Sequence, residues 1–249
     1  MMKVLVAFGD SYGAGSELYD GTWTSGAQQH PDDYSNFIQL FGEDFDKVLN
    51  YSTCAASIPS YIDQLRQFKE DYKKQSEYTV LVMITQHNRD WVHTKKYGWV
   101  NLFPNVGKFD EGLKEVEDSW YRTVSYPQTG NMNWYRTIAL LQNFFHKYDN
   151  ITDYYIEQFK QSPKSKNMDF LIDWNKIYEK PIVSEIFHPE QNNDTNTMDW
   201  KTFLDTPNYA KYFGTGFHPN ELGHKKICER ISQILGVKQL KDEDPFIYD

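Results

Sequence analysis

Two short segments, one near each end of the chain, carry residue types that can do chemistry together. Gly9-Asp10-Ser11 follows directly on the apolar run Val4-Leu5-Val6-Ala7-Phe8, and Gly13 comes shortly after. An apolar, β-favouring run ending in such a turn reads as a buried strand that lifts a serine hydroxyl to the edge of a sheet. At the other end, Gly214-Thr215-Gly216-Phe217-His218-Pro219-Asn220 delivers a histidine on a loop just ahead of a helix. A serine hydroxyl is a weak nucleophile until a neighbouring imidazole takes its proton, so Ser11 and His218 form a candidate nucleophile and general base. Taken alone, the serine turn reads equally well as a plain strand–helix junction with a capping serine. His224 falls inside the following helix and reads as a packing or surface residue.

The elements that must position this pair follow from hydrophobic spacing. A helix starting at Pro31-Asp32-Asp33 carries Tyr34, Phe37, Ile38 and Phe41 and ends near Gly42. A second strand over 47–51 runs into the small residues Ser52-Thr53-Cys54-Ala55-Ala56-Ser57. The spacing then predicts a helix over about 60–74, with Ile62, Leu65 and Phe68 on one face. Residues 78–85 are continuously apolar, as in a central parallel strand covered on both faces. From Asp90 to about Gly130 the periodicity fades into a long, aromatic-rich, irregular stretch, read as an insertion with a small core of its own. A helix over 132–147, a strand near 153–158 and a short strand or helix start at 170–174 follow. The closing helix, about 220–235, turns Leu222, Ile227, Ile231 and Ile234 inward. This β-α-β-α-β-insertion-α-β order implies an α/β fold, a parallel sheet with helices on both faces. No linker-like composition divides it, so residues 1–237 read as a single domain with a charged tail over 238–249.

Four blocks of the chain, in order, resemble those of the SGNH, or GDSL-type, serine hydrolase superfamily. Phe8-Gly9-Asp10-Ser11 is similar to the family's nucleophile block. Asn50-Tyr51-Ser52-Thr53-Cys54-Ala55-Ala56-Ser57 is similar to Asn-x-x-x-Ser-Gly-x-Thr, with Ala55 in the place of the glycine. Gln86-His87-Asn88-Arg89 is similar to Gly-x-Asn-Asp, and Thr215-Gly216-Phe217-His218-Pro219-Asn220 to Asp-Gly-x-His-Pro-Asn. The resemblance implies a flavodoxin-like three-layer α/β/α sandwich with a central parallel sheet. It also implies an esterase without a cofactor, in which Ser11 attacks, His218 acts as base, and the N–H groups of Ser11 and Ala55 with the Asn88 amide form the oxyanion hole. The chain departs from the family at Thr215, where a triad aspartate would stand; neutralising that aspartate in a serine protease costs about 10⁴ in kcat. Three alternatives stay open: Asp205 or Asp199 takes over, a Ser–His dyad works with Thr215 or a carbonyl, or the site is impaired and used for binding.

Composition bounds the partners. With a net charge of −9 the chain lacks the basic face that sequence-independent nucleic-acid binding needs. Its mean hydropathy is −0.72, and no apolar run approaches the roughly 20 residues of a membrane span. Cys54 and Cys228 lie far apart, and His87, His93 and His188 lack metal-ligand spacing, so neither a disulfide framework nor a metal site is expected. No signal-peptide pattern precedes the first strand, which points to a cytoplasmic or virion-associated protein. Arg89 reads either as a ligand for an anionic group of a substrate or as an exposed ion pair. Trp91 and Trp99 read either as a sugar-stacking wall or as packing within the insertion. The expected substrate is a small-molecule or glycan ester, hydrolysed by a carboxylic ester hydrolase. The rival is an SGNH-fold glycan-binding or protein-interaction module, in a viral setting. Oligomeric state and acyl and alcohol preference stay open.

Overall fold

A computed structural model describes residues 1–15, 36–85, 89–96, 98–102, 111–123, 127–158, 169–178, 180–187, 211–214 and 218–236. Strand β1 (Met2–Phe8) is buried from Val4 onward on both faces, because alternate side chains feed two separate cores. Its neighbours are β2 (Lys47–Asn50) and β3 (Ser76–Ile84), both parallel to it. Further along the chain lie the hairpin strands β4 (Asp90–Thr94) and β5 (Gly98–Leu102), then β6 (Ile151–Glu157) and β7 (Ile177–Tyr178). The main sheet has the order β2-β1-β3-β6-β7 and is parallel throughout.

Helices cover both faces, as the sequence predicts. The helices in chain order are α1 (Ser11–Ala14), α2 (Phe37–Phe41), α3 (Tyr61–Asp71), α4 (Lys114–Thr123), α5 (Pro127–Phe145), α6 (Ile182–Phe187) and α7 (Glu221–Leu235). On one face α3 and α5 bury Phe68, Trp134, Ile138, Leu141 and Phe145 against Val4, Val6, Phe8 and Val80. Phe68 anchors this layer, making edge-on contacts with Phe8, Tyr78 and Phe145. On the other face α2, α6 and α7 bury Phe37, Ile38, Ile182, Ile227 and Ile231 against Leu5, Ala7, Leu81 and Met83. The result is a three-layer α/β/α arrangement around a five-stranded parallel sheet.

In this order the chain steps from β1 outward to β2 and then back across to β3, so the topology switches direction between β1 and β3. Ligands of open parallel sheets bind in the crevice outside the strand ends at such a switch point. The serine turn after β1 sits there, with Thr85 and Arg89 from beyond β3 bonded to its Asp10.

Several elements differ from the spacing-based reading. The helix expected from Pro31 has its N-cap at Asn36, whose extended backbone and capping box start α2 at Phe37. The buried stripe of α3 is Tyr61, Gln64, Leu65 and Phe68, and Ile62 is exposed; that of α7 runs through Gly223, His224, Ile227 and Cys228, leaving Leu222 exposed. In both helices a polar or glycine residue takes a place that an apolar count assigns to its neighbour. The stretch after Asp90 is not irregular in its described parts. It forms the β4–β5 hairpin and α4, which share a small cluster of Val92, Leu102 and Leu113 with Val100, Val116 and Trp120 packed against it. Its alternation is hidden in sequence because aromatic Trp91 and Trp99 occupy the open face and valines the covered one. Helix α5 begins at Pro127, ahead of the expected start, and β7, only two residues long, follows two short 3₁₀ turns over 169–176.

Candidate active site

The serine turn is held from below. Gln64 on α3 pairs with the backbone of Gly9 in both directions, its Oε1 accepting from Gly9 N–H (3.0 Å) and its Nε2 donating to Gly9 O (2.8 Å). Asp10 adopts an extended conformation and caps α1, its Oδ1 accepting from Tyr12 N–H at 3.1 Å. Ser11 is therefore the first residue of α1, where the helix itself supplies no acceptor for the N–H. Gly13 is required because a Cβ there would stand 2.3 Å from Ser52 Oγ on the adjoining β2–α3 loop. Asn50, at the end of β2, ties the same turn by donating to Gly13 O at 2.7 Å.

His218 comes from the far end of the chain. A short antiparallel bridge carries it: Phe213 bridges Pro219, Gly214 N–H donates to His218 O at 2.8 Å, and Asn220 N–H to Tyr212 O at 2.9 Å. Asn220 then caps α7, accepting from Gly223 N–H at 3.0 Å. The imidazole Nε2 lies 2.8 Å from Ser11 Oγ, with the ring tilted against Tyr12. Both residues are nearly fully buried, Ser11 at 2% and His218 at 5% exposure. The contact lies within the range expected of a nucleophile and its base.

The third side of the crevice is the loop after β2. Thr53 N–H donates to Gly9 O (3.1 Å) and Ala56 N–H to Thr53 O (3.0 Å), which folds the loop back over the serine turn. Between them Ala55 has φ +59°, the left-handed region that a glycine would occupy without strain. Ser57 secures the far side, its N–H (3.2 Å) and Oγ (3.0 Å) both donating to Asn101 Oδ1 on β5.

Asp10 proves to be a hub. Its fully buried carboxylate accepts from Tyr12 N–H and Gln158 Nε2 (3.1 Å) on one oxygen, and from Thr85 Oγ1 (2.5 Å) and Arg89 Nη1 (3.1 Å) on the other. A buried carboxylate needs this degree of satisfaction, since an unpaired one would be strongly disfavoured. Beside it, Tyr61 donates to Met83 O at 2.6 Å, and burial together with the nearby Asp10 charge pushes its hydroxyl pKa well above the usual phenol range.

The structure thus brings together Ser11, His218, Ala55 and Arg89. Asn88, Thr215, Asp205 and Asp199 lie outside the described residues. Arg89 faces Asp10 with its side chain 16% exposed and also donates to Ala56 O at 3.4 Å. Trp91 stacks on Trp99 with ring centroids 4.4 Å apart, and Trp99 is 59% exposed. His224 is wholly buried, stacks on Phe37, and accepts from Phe37 N–H at 3.3 Å. Among the described residues no group of His, Cys, Asp and Glu is arranged to hold a metal ion, and no helix is long and apolar enough to cross a membrane. The sequence reading did not single out Gln64, Thr85 or Gln158. Gln64 left a trace, a polar residue one turn from both Tyr61 and Phe68 on the buried side of α3; the other two are ordinary polar residues at strand ends.

Compared with known proteins, the chain matches no family model and no curated protein. Four solved chains match it, among them a catalytic mutant of an acetylxylan esterase from Geobacillus stearothermophilus. The two are 15% identical over 97% of each chain, with a TM-score of 0.42. At that identity and score the likeness is coarse.

Proposed function

We propose that the chain is a serine esterase acting on small acyl or O-acetyl esters, with carbohydrate esters among its substrates. The reading is carried by the 2.8 Å contact between Ser11 Oγ and His218 Nε2 in the switch-point crevice. Ser11 Oγ attacks the ester carbonyl while His218 Nε2 takes the hydroxyl proton. The N–H groups of Ser11 and Ala55 and the Asn88 side-chain amide receive the oxyanion, an interaction worth 10²–10³ in kcat per donor in well-studied hydrolases. Collapse of the tetrahedral intermediate breaks the ester C–O bond, and the imidazolium returns its proton to the departing alcohol. Water then attacks the acyl-enzyme with the same histidine as base, releasing the carboxylic acid and restoring Ser11. Thr215, Asp205 and Asp199 are the candidates to orient His218.

A carbohydrate on the alcohol side is supported by the Trp91–Trp99 stack. The hairpin bearing it is tied through Asn101 to the loop of Ala55, and exposed aromatic faces suit the apolar faces of sugar rings.

Hydrolysis of p-nitrophenyl acetate by the wild-type chain and by Ser11→Ala tests the reaction. The expected result is a loss of at least about 10³ in kcat in the variant, together with loss of covalent labelling by a fluorophosphonate. Equal hydrolysis by both proteins overturns the esterase reading in favour of a binding module.

A further inference from the structure

Two of the oxyanion donors of the proposed site come from described segments that are not contiguous: the β1–α1 turn with Ser11 and the β2–α3 loop with Ala55. Thr53 N–H joins the loop to Gly9 O at 3.1 Å, and a side chain supplies a second tie. Arg89, beyond the end of β3, touches both. Its Nη1 lies 3.1 Å from Asp10 Oδ2, next to Ser11, and 3.4 Å from the carbonyl of Ala56, next to Ala55; along the chain it adjoins Asn88. Its anchor is rigid, because Thr85, Gln158 and Tyr12 N–H hold the fully buried Asp10 carboxylate from three directions.

We propose that Arg89 is a positioning residue that clamps the Ser11 turn and the Ala55 loop, two donor segments of the oxyanion hole, in register around Asp10. The inference rests on the esterase reading and adds a residue to it. A planar guanidinium can donate along several fixed directions at once, whereas a lysine ammonium offers a single compact charge on a flexible stem. The pair is shielded, with Arg89 mostly buried and Asp10 wholly so, which strengthens the attraction relative to a surface pair. Catalytic geometry is unforgiving: a displacement of about 1 Å can cost on the order of 10² in rate. The guanidinium acts on the donors through the loops that carry them and does not itself contact the ester.

The test compares wild type, Arg89→Met and Arg89→Lys of the full chain, using p-nitrophenyl acetate, which has no anionic group for an arginine to bind. Folding is checked by circular dichroism at the assay temperature. Arg89→Met is expected to lose about 10- to 100-fold in kcat with KM changed less than about threefold, and to react with a fluorophosphonate more slowly by a similar factor. Arg89→Lys is expected to recover part of that loss. A merely structural role lowers the melting temperature and leaves kcat of the folded protein intact; kcat within about twofold of wild type in Arg89→Met overturns the clamp. If Arg89→Met does not fold, Arg89→Lys carries the comparison, and full wild-type kcat in it overturns the clamp equally. Wild-type protein inert towards both ester and phosphonate overturns the esterase reading, and the clamp with it. Loss confined to KM overturns the clamp alone, by assigning Arg89 to substrate binding.

Discussion

Ala55 is the described non-glycine residue held at positive φ, and it stands on the loop that closes over Ser11. An L-residue there costs about 1–2 kcal/mol relative to the right-handed region, because Cβ crowds the carbonyl oxygen. Glycine removes that strain but adds roughly 0.5–1 kcal/mol of unfolded-chain entropy. Ala55→Gly is therefore expected to raise stability by up to about 1 kcal/mol, read as a shift of the urea midpoint at unchanged slope. Because the backbone direction of the N–H is kept, the proposed hydrolysis of p-nitrophenyl acetate should stay near the wild-type rate. Ala55→Val should do the opposite. A β-branched residue is a genuine outlier at this φ, so stability should fall by about 1–3 kcal/mol and kcat with it. Retained stability and turnover in Ala55→Val would show that the loop relaxes freely, contrary to the strained turn described above.

At the scale of elements, the histidine turn depends on how closely α7 approaches it. A Cβ at Gly223 would lie 2.3 Å from the backbone carbonyl oxygen of Tyr212, so the first turn of α7 and the segment leading into His218 meet with no room between them. Backbone cannot swing aside as a flexible side chain can. Gly223→Ala is expected to cost about 1–3 kcal/mol, the usual range for overpacking. It should also displace His218, lowering the rate of Ser11 phosphonylation in the protein that remains folded. An alanine is otherwise a better helix former than glycine, so a gain in stability would show that the contact is slack.

At the scale of the molecule, the layer that carries the histidine is tied together by a polar link as well as by its core. Arg230 on α7 bonds Glu185 on α6 through Nε (3.1 Å) and Nη2, and Tyr178 on β7 donates to Glu185 at 2.7 Å. Burial opposes the charge of Glu185, but the hydrogen bonds from Arg230 and Tyr178 outweigh it and hold the carboxyl below its ordinary value of 4.5. A lowered folded-state pKa contributes stability above the unfolded value, and that contribution is lost as pH falls through the folded one. Arg230→Met is thus expected to be less stable than wild type at pH 7, with the difference shrinking as pH falls below about 4. Urea unfolding across that range checks it, and a difference independent of pH would assign the effect to packing of the arginine stem instead.

Much of this organisation is written locally in the chain. Val4 to Phe8 and Val80 to Ile84 are apolar at every step because parallel strands are covered on both sides, and that pattern needs no tertiary information to be seen. The positions of Ser11 and His218, each at the end of a recognisable element, were legible for the same reason. The phases of α3 and α7 were not, because Gln64 and His224 are buried by the particular partners they find, the Gly9 backbone and Phe37. The β4–β5 hairpin was masked by tryptophans on its open face. What only the tertiary structure decided are the meetings: Ser11 with His218 across 207 positions, Arg89 with Asp10 across 79, and the left-handed turn at Ala55. Hydrophobic periodicity records which face of an element is buried, not which element buries it. Those contacts come from the way two helical layers close on one sheet, and they exist only once it has closed.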